Sequence, residues 1–229
     1  MKESFVDELT VDPAFSEVMC TSETATAAVQ ARTGSWSVSE VKNVGNRVHP
    51  ENEQLKKEQG DNSTKIHHLC WAACIACMTM QKNTKTTYSA TDVYYLCRSM
   101  SYSDKPSETY PHGSSAWIKF GLKHIASISP KVTTALSSSQ VASILAQNKP
   151  IYVSLRKGDL GHGMVLFVHA KYSDTSGRYV LMDPSPVDSD GGQVVVTLNK
   201  TTMEDGSSLA ITSRTSTKYE EWKASYYES

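Results

Sequence analysis

Three cysteines stand close together in HHLCWAACIACM, at positions 70, 74 and 77, and four kinds of chemistry fit them. As positions i, i+4 and i+7 of one helix they can be small buried hydrophobes, the commonest fate of a cysteine and the reading taken for Cys74, Cys77 and the later Cys97. With His67 and His68 they could bind zinc, but structural zinc sites draw ligands from two separated knuckles, and no second Cys-x-x-Cys pair follows. The Cys-x-x-x-Cys-x-x-Cys spacing is also that of radical S-adenosylmethionine enzymes. There the ligands wrap a cluster from a loop, whereas WAACIAC favours a helix, and the repeated β-α units of those barrels are missing. The fourth chemistry makes Cys70 a nucleophile at a helix N-terminus, where unpaired N–H groups and the macrodipole favour thiolate over thiol. On that reading neither metal nor cofactor is required.

A nucleophilic thiol needs a base from elsewhere in the fold, because little of it is ionised at neutral pH unless something lowers its pKa. Seven histidines are available. His49 lies in a polar stretch, His112 in a Pro/Gly loop and His124 on a short amphipathic segment, while His67 and His68 are too near Cys70 in sequence to reach it without a sharp turn. His162 stands apart in GDLGHGMVLFV, between two glycines at the mouth of the most apolar strand, so its ring can enter a cleft while core packing anchors the strand. His169, seven residues on, falls on the opposite face by period two and reads as structural. In YVLMDPSP, Asp183 follows an apolar run and precedes a proline. It can orient the imidazole from an adjacent antiparallel strand, or serve only as a turn residue. Asp159, Asp188 and Asp190 are loop acids with weaker claims.

The elements that must position these residues divide into a helical half and a β-rich half. The stretch from Leu69 to Gln81 has no Gly or Pro and is rich in Ala and Met, hence helical. SATDVYYLCRSM, with Ser89 or Thr91 as N-cap, SSAWIKFGLKHI, and SSSQVASILAQNK, capped from Ser137 to Ser139, give three more helices. After Pro150, the runs IYVSL, GMVLFVHAKY, RYVLMD and QVVVTL are β-branched and aromatic, separated by Gly, Asp, Pro and Ser, which predicts an antiparallel sheet. LAITS can add a strand, and KYEEWKASYY reads as a terminal helix. Helices first and strands after predict an α+β fold of two lobes with a site in the cleft between them.

At 229 residues, the chain suits one domain plus an appendage. Residues 1–63 are polar and Ser/Thr- or charge-rich without apolar period, which predicts a disordered or processed leader ahead of a domain over 64–229. A net charge of −1, with no basic cluster, argues against nucleic acid. No run of about 20 apolar residues is present to span a membrane, and MKESFVDELT places acids where a signal peptide needs an apolar stretch. Five cysteines, an odd number with three clustered, suit a reducing compartment better than a disulfide framework.

With Cys70, His162 and Asp183 in that order, the words around them become specific. Cys70-Trp71-Ala72 resembles the Cys-Trp-Ala that opens the catalytic helix of papain-like cysteine peptidases. GHGMVLF followed by YVLMDPSP resembles the Gly-His-x-x-Val and strand-Asp-Pro elements of their compact bacterial members. The likeness spans roughly residues 64–200 and is nearest to the type III effector proteases of plant-associated bacteria, with staphopains and bacteriocin-leader peptidase domains further off. It implies a helical lobe carrying the cysteine, a β-sheet lobe carrying His162 and Asp183, and a cysteine endopeptidase acting on a protein or peptide, such as a host protein reached by a non-Sec route. It also implies a Ser-rich leader that some such enzymes cut themselves, with ARTGSWS around Trp36 as a processing site. The family places a Gln about six residues before the nucleophile to help hold the oxyanion. Here that position is Thr64, with Asn62, Ser63, His67 and His68 as further candidates. Cys-His amidases, deamidases and transglutaminases share the triad, and a binding module without activity is the remaining alternative.

Overall fold

The computed structural model describes residues 37–45, 69–185 and 192–229. It is an α+β arrangement. Helices α1 (Cys70–Lys82), α2 (Ala90–Ser99) and α3 (Ser115–His124) pack together, and α1 also packs on the sheet. Strand β1 (Ser37–Glu40) precedes these helices, and β2 (Pro130–Thr133) and α4 (Ser138–Leu145) follow them. Then come β3 (Ile151–Lys157), β4 (Leu160–Ser173), β5 (Ser176–Asp183) and β6 (Gly192–Asn199), a short α5 (Lys200–Glu204), β7 (Ile211–Thr212), β8 (Lys218–Tyr219) and β9 (Glu221–Glu228).

Helix α1 is apolar all round, and every residue from Cys70 to Thr79 is buried, so it is a central helix rather than an amphipathic one. Its neighbours carry the sequence signals of their ends. Ser89 caps α2 in a capping box with Asp92, and Ser137 does the same for α4 with Gln140. Ser114 accepts from Trp117 N–H to cap α3.

The main sheet is antiparallel and seven-stranded, in the order β2-β9-β3-β4-β5-β6, with β1 added against β4. The fourteen-residue β4 is its spine. Along one edge it pairs with β5; along the other, β3 covers Leu160 to Leu166 and β1 covers Val168 to Lys171. The β3–β4 hairpin turns through Gly158-Asp159, with Gly158 at φ +55, a conformation that favours glycine. Strands β7 and β8 form a separate two-stranded ribbon.

Two expectations are corrected. KYEEWKASYY is not a helix: it forms β8 and β9, and β9 pairs with β2 on one side and β3 on the other. Its Glu and Lys favour helix locally, but two open ladders and the burial of Trp222 and Tyr226 outweigh that weak preference. The leader boundary at residue 63 also moves. Residues 37–45 belong to the folded unit that runs from Ser37 to Ser229. Backbone pairing of β1 needs no apolar period, which hid it, and the segment is tied in by buried Val41, whose N–H donates to Phe167 O at 2.8 Å. The rest of the expected leader, with ARTGSW, lies outside the described residues.

Among the described residues no helix is long and apolar enough to cross a membrane.

Candidate active site

Cys70 is the first residue of α1, and Leu69 before it supplies no side-chain cap. The first N–H groups of a helix have no acceptor within it, and one of them, the Trp71 N–H, is turned to the Cys70 sulfur. His162 arrives from β4, opposite Leu155 of β3. Val165 pairs with Met182, and one step further β5 ends at Asp183, so the antiparallel register delivers the carboxylate to the histidine. The structure thus brings together Cys70, His162 and Asp183 from one helix and two adjacent strands.

The contacts define roles. The His162 Nε2–H donates to Asp183 Oδ1 at 2.8 Å, which leaves Nδ1 for the hydrogen bond shared with the Cys70 thiol. Asp183 is fully buried and accepts two more N–H bonds, from Ser185 to Oδ1 at 2.9 Å and from Arg214 to Oδ2 at 2.7 Å. The Ser185 hydroxyl lies 3.3 Å from His162 Nε2. The Tyr219 ring stacks on the imidazole, with centroids 5.2 Å apart and planes 13° from parallel. Gly163 must be glycine in this packing: a Cβ there would sit 2.3 Å from the Tyr152 hydroxyl oxygen.

Electrostatics turn this geometry into a charged pair. Burial pushes the Cys70 thiol up, but the hydrogen bond and charge of His162, with the N–H groups of Gly163 and Trp71, hold it below its ordinary value. Burial pulls His162 down, but hydrogen bonds to Asp183 and Cys70 and their negative charges raise it to about 9. Burial would raise Asp183, yet His162 and the N–H groups of Arg214 and Ser185 keep it below the usual carboxylate range. Thiolate beside imidazolium, with a carboxylate behind, is the state these shifts favour.

The other candidates sort themselves by contact. Cys74 is pushed well up by burial, and by the charges of Cys77, Cys70 and Asp183, so it stays a thiol. Cys97 is raised to about 12 by burial, against the pull of Lys105. With buried Cys77, these are packing residues, none in a disulfide. Three sulfurs on one buried helix do not wrap a cluster. Among the described residues no group of three or more His, Cys, Asp or Glu side chains is placed to hold a metal ion.

His169 is buried and bonded through Nε2 to Ser138 Oγ at 3.0 Å, tying β4 to α4, and a β-bulge between Leu166 and Val168 interrupts the strict alternation between it and His162. His124 pairs with Asp104 at 2.8 Å and stacks on Tyr102. His112 Nδ1 lies 3.2 Å from Tyr110 O. Asp159 sits in the β3–β4 turn. The oxyanion candidates Asn62, Ser63, Thr64, His67 and His68, together with Cys20, His49, Asp188 and Asp190, lie outside the described residues. A groove of about 810 Å³ beside α2, lined by Tyr88, Asp92, Tyr95, Leu96, Arg98 and Ser99, shares no residue with the triad.

Two contributors have no signal of their own in the sequence: the Arg214 N–H, which any residue but proline could supply, and Tyr219, which lies in the segment read as a helix; Gly163 is marked there only as one of the two glycines that flank His162. Ser185, the residue after the proline in DPSP, was not among the candidates; only the fold turns it back toward Asp183.

No family model matches the chain, and no curated protein is significantly similar to it.

Proposed function

We propose that the chain is a cysteine endopeptidase of papain-like, two-lobed architecture that cleaves peptide bonds through an acyl-enzyme on Cys70. The reading rests on one observation: a buried thiol at a helix N-terminus shares a hydrogen bond with a histidine whose far nitrogen is held by a buried carboxylate. Buried charges are costly even when paired, and apolar side chains would fill these positions as well or better, so three converging ionisable groups point to a functional site.

In the proposed cycle the Cys70 thiolate attacks the scissile carbonyl carbon, and the carbonyl electron pair moves to oxygen. In this cycle the Cys70 backbone N–H, at the positive end of α1, would donate to that oxyanion. A side-chain donor from residues 62–68 would complete the hole. When the C–N bond breaks, His162 gives its Nδ1 proton to the departing amine, leaving a thioester on Cys70. A water then attacks the thioester while His162 takes one of its protons; the C–S bond breaks, the thiolate is expelled beside the imidazolium so that the starting pair reforms, and the acid product leaves and gives its remaining proton to solvent. Asp183 fixes the tautomer throughout and stabilises the imidazolium. The resemblance to effector proteases makes a host-cell protein the substrate class to try first.

The test pairs Cys70→Ala with the unaltered chain on a peptide library, beside labelling by a thiol-directed activity probe. Turnover and Cys70 labelling in the unaltered chain, both lost in Cys70→Ala with an unchanged fold, are the expected result. Turnover retained in Cys70→Ala overturns the assignment. Products released from cell-wall peptides, with none from the library, would reassign the same triad to an amidase.

A further inference from the structure

The ribbon Ile211–Tyr219 stands outside the seven-stranded sheet, yet it touches the His162–Asp183 pair twice. Its turn points the Arg214 N–H at Asp183 Oδ2, and its second strand lays Tyr219 over the imidazole. The turn is held to that shape by its own bonds: Ser213 N–H to Thr217 O and Ser216 N–H to Ser213 O, both 2.9 Å, with the Ser213 hydroxyl accepting from Thr217 N–H. Ser216 adopts φ 62 to close it. Glu220 N–H donates to Arg156 O, fastening the ribbon's end to β3 beside the strand that carries His162.

We infer that this ribbon is a clamp whose positioning residue is Tyr219, and that the face of its ring keeps His162 protonated as the partner of the Cys70 thiolate. The inference rests on the peptidase reading above for its purpose, though not for its test. An aromatic face carries negative quadrupole charge, and a cation within about 6 Å of the centroid is attracted to it. The near-parallel stack at 5.2 Å meets that distance. Tyr219 is itself buried and stays neutral through the relevant range: burial, and then the charges of Cys70 and Asp183, raise its hydroxyl to about 12. The ring is therefore a fixed, uncharged platform. Deleting it while keeping an apolar side chain leaves the site dry and removes only the attraction for the charged imidazole. The imidazolium must then give up its proton at lower pH.

The experiment follows the His162 ring by NMR against pH in the full chain. It also measures alkylation of Cys70 by iodoacetamide, located by peptide mass spectrometry, so neither readout needs turnover. In the unaltered chain the His162 transition is expected near 9. Tyr219→Leu should lower it by about half to one pH unit, with the alkylation profile shifting alongside, and Tyr219→Phe should restore both. Because Tyr219→Leu could fail to fold, a ring-fluorinated phenylalanine at 219 serves as a second variant; it keeps the shape, withdraws charge from the face and should shift His162 the same way. An unmoved His162 transition in Tyr219→Leu or in the fluorinated chain overturns the inference, as does a Phe variant that behaves like Leu. A ring titration identical in the unaltered chain and in Cys70→Ala would instead overturn the thiolate–imidazolium pair, and with it the peptidase reading.

Discussion

The lowered Cys70 thiol and the raised His162 imidazole favour the proton on nitrogen over sulfur, and this has a consequence for stability as well as for reactivity. A histidine raised from 6.5 to about 9 contributes stability that is complete below 6.5 and is lost as pH rises toward 9. A cysteine lowered from 9.0 contributes in the opposite sense: its stability is present above 9.0 and is lost as pH falls toward its lowered value. Above both 6.5 and the lowered Cys70 transition, and below about 9, the folded pair carries one proton, on nitrogen, and the unfolded pair also carries one, on sulfur. There the two slopes cancel. Thermal melts across that window should therefore show no net slope from this pair in the unaltered chain. In Cys70→Ala the histidine keeps the hydrogen bond and charge of Asp183 but loses those of Cys70, so its transition moves below 9; its proton release is no longer offset by a thiol, and the pH dependence of the melting temperature should differ from that of the unaltered chain. Parallel curves for the two proteins would count against proton transfer within the pair.

At the scale of elements, the site is a junction between the start of α1 and the β4–β5 pair, and its tolerances are set by how closely these approach. Gly163 illustrates this. It sits next to His162 on β4, its N–H faces the Cys70 sulfur, and the Tyr152 ring from β3 fills the space a side chain would need. Gly163→Ala puts a methyl against the rigid Tyr152 ring, and the overpacking is expected to cost about 1–3 kcal/mol in a urea titration. Because the displaced backbone carries both a donor to sulfur and the neighbouring histidine, kcat/KM should fall more than stability alone explains. Adding Tyr152→Phe removes the nearest atom and should recover part of the stability; no recovery in the double variant would refute the packing argument. The strand runs and helix caps that build this junction were legible in the sequence because burial and capping leave periodic, local marks. Of the ribbon only the first strand was legible, in LAITS; Tyr219 and Arg214 act through a ring face and a backbone N–H whose placement depends on a chain reversal far from Asp183. The terminal strand was misread for a related reason. Its partners β2 and β3 lie elsewhere in the chain, and a local Glu/Lys pattern carries no trace of them.

For the molecule as a whole, the order of the three polar residues and the change from helices to strands were enough to reach an α+β fold with the triad at the meeting of its parts. The N-terminal boundary was beyond such reasoning, because β1 is recruited by an open edge of β4 rather than by its own apolar pattern. That edge bounds how far the N-terminus can be shortened. Val41 is buried, Lys42 N–H donates to Asn148 Oδ1 at 3.0 Å, and a Cβ at Gly45 would meet Met80 Sδ at 2.4 Å, so residues 37–45 are packed between β4 and the helices. Relative to a deletion of 1–36, removing 1–45 also opens four β4 pairings and uncovers Val41, so its urea midpoint should be lower, by about 2–4 kcal/mol of stability on the usual value of a buried aliphatic side chain with its hydrogen bonds. If the chain processes itself, the same boundary constrains the cut. A truncation dependent on Cys70, read by intact mass in the unaltered chain and absent in Cys70→Ala, should fall before Ser37, because a cut within 37–45 would have to unzip β1 from the sheet that holds His162. Equal midpoints for the two deletions, or a Cys70-dependent product beginning after Gly45, would show that β1 is dispensable to the fold.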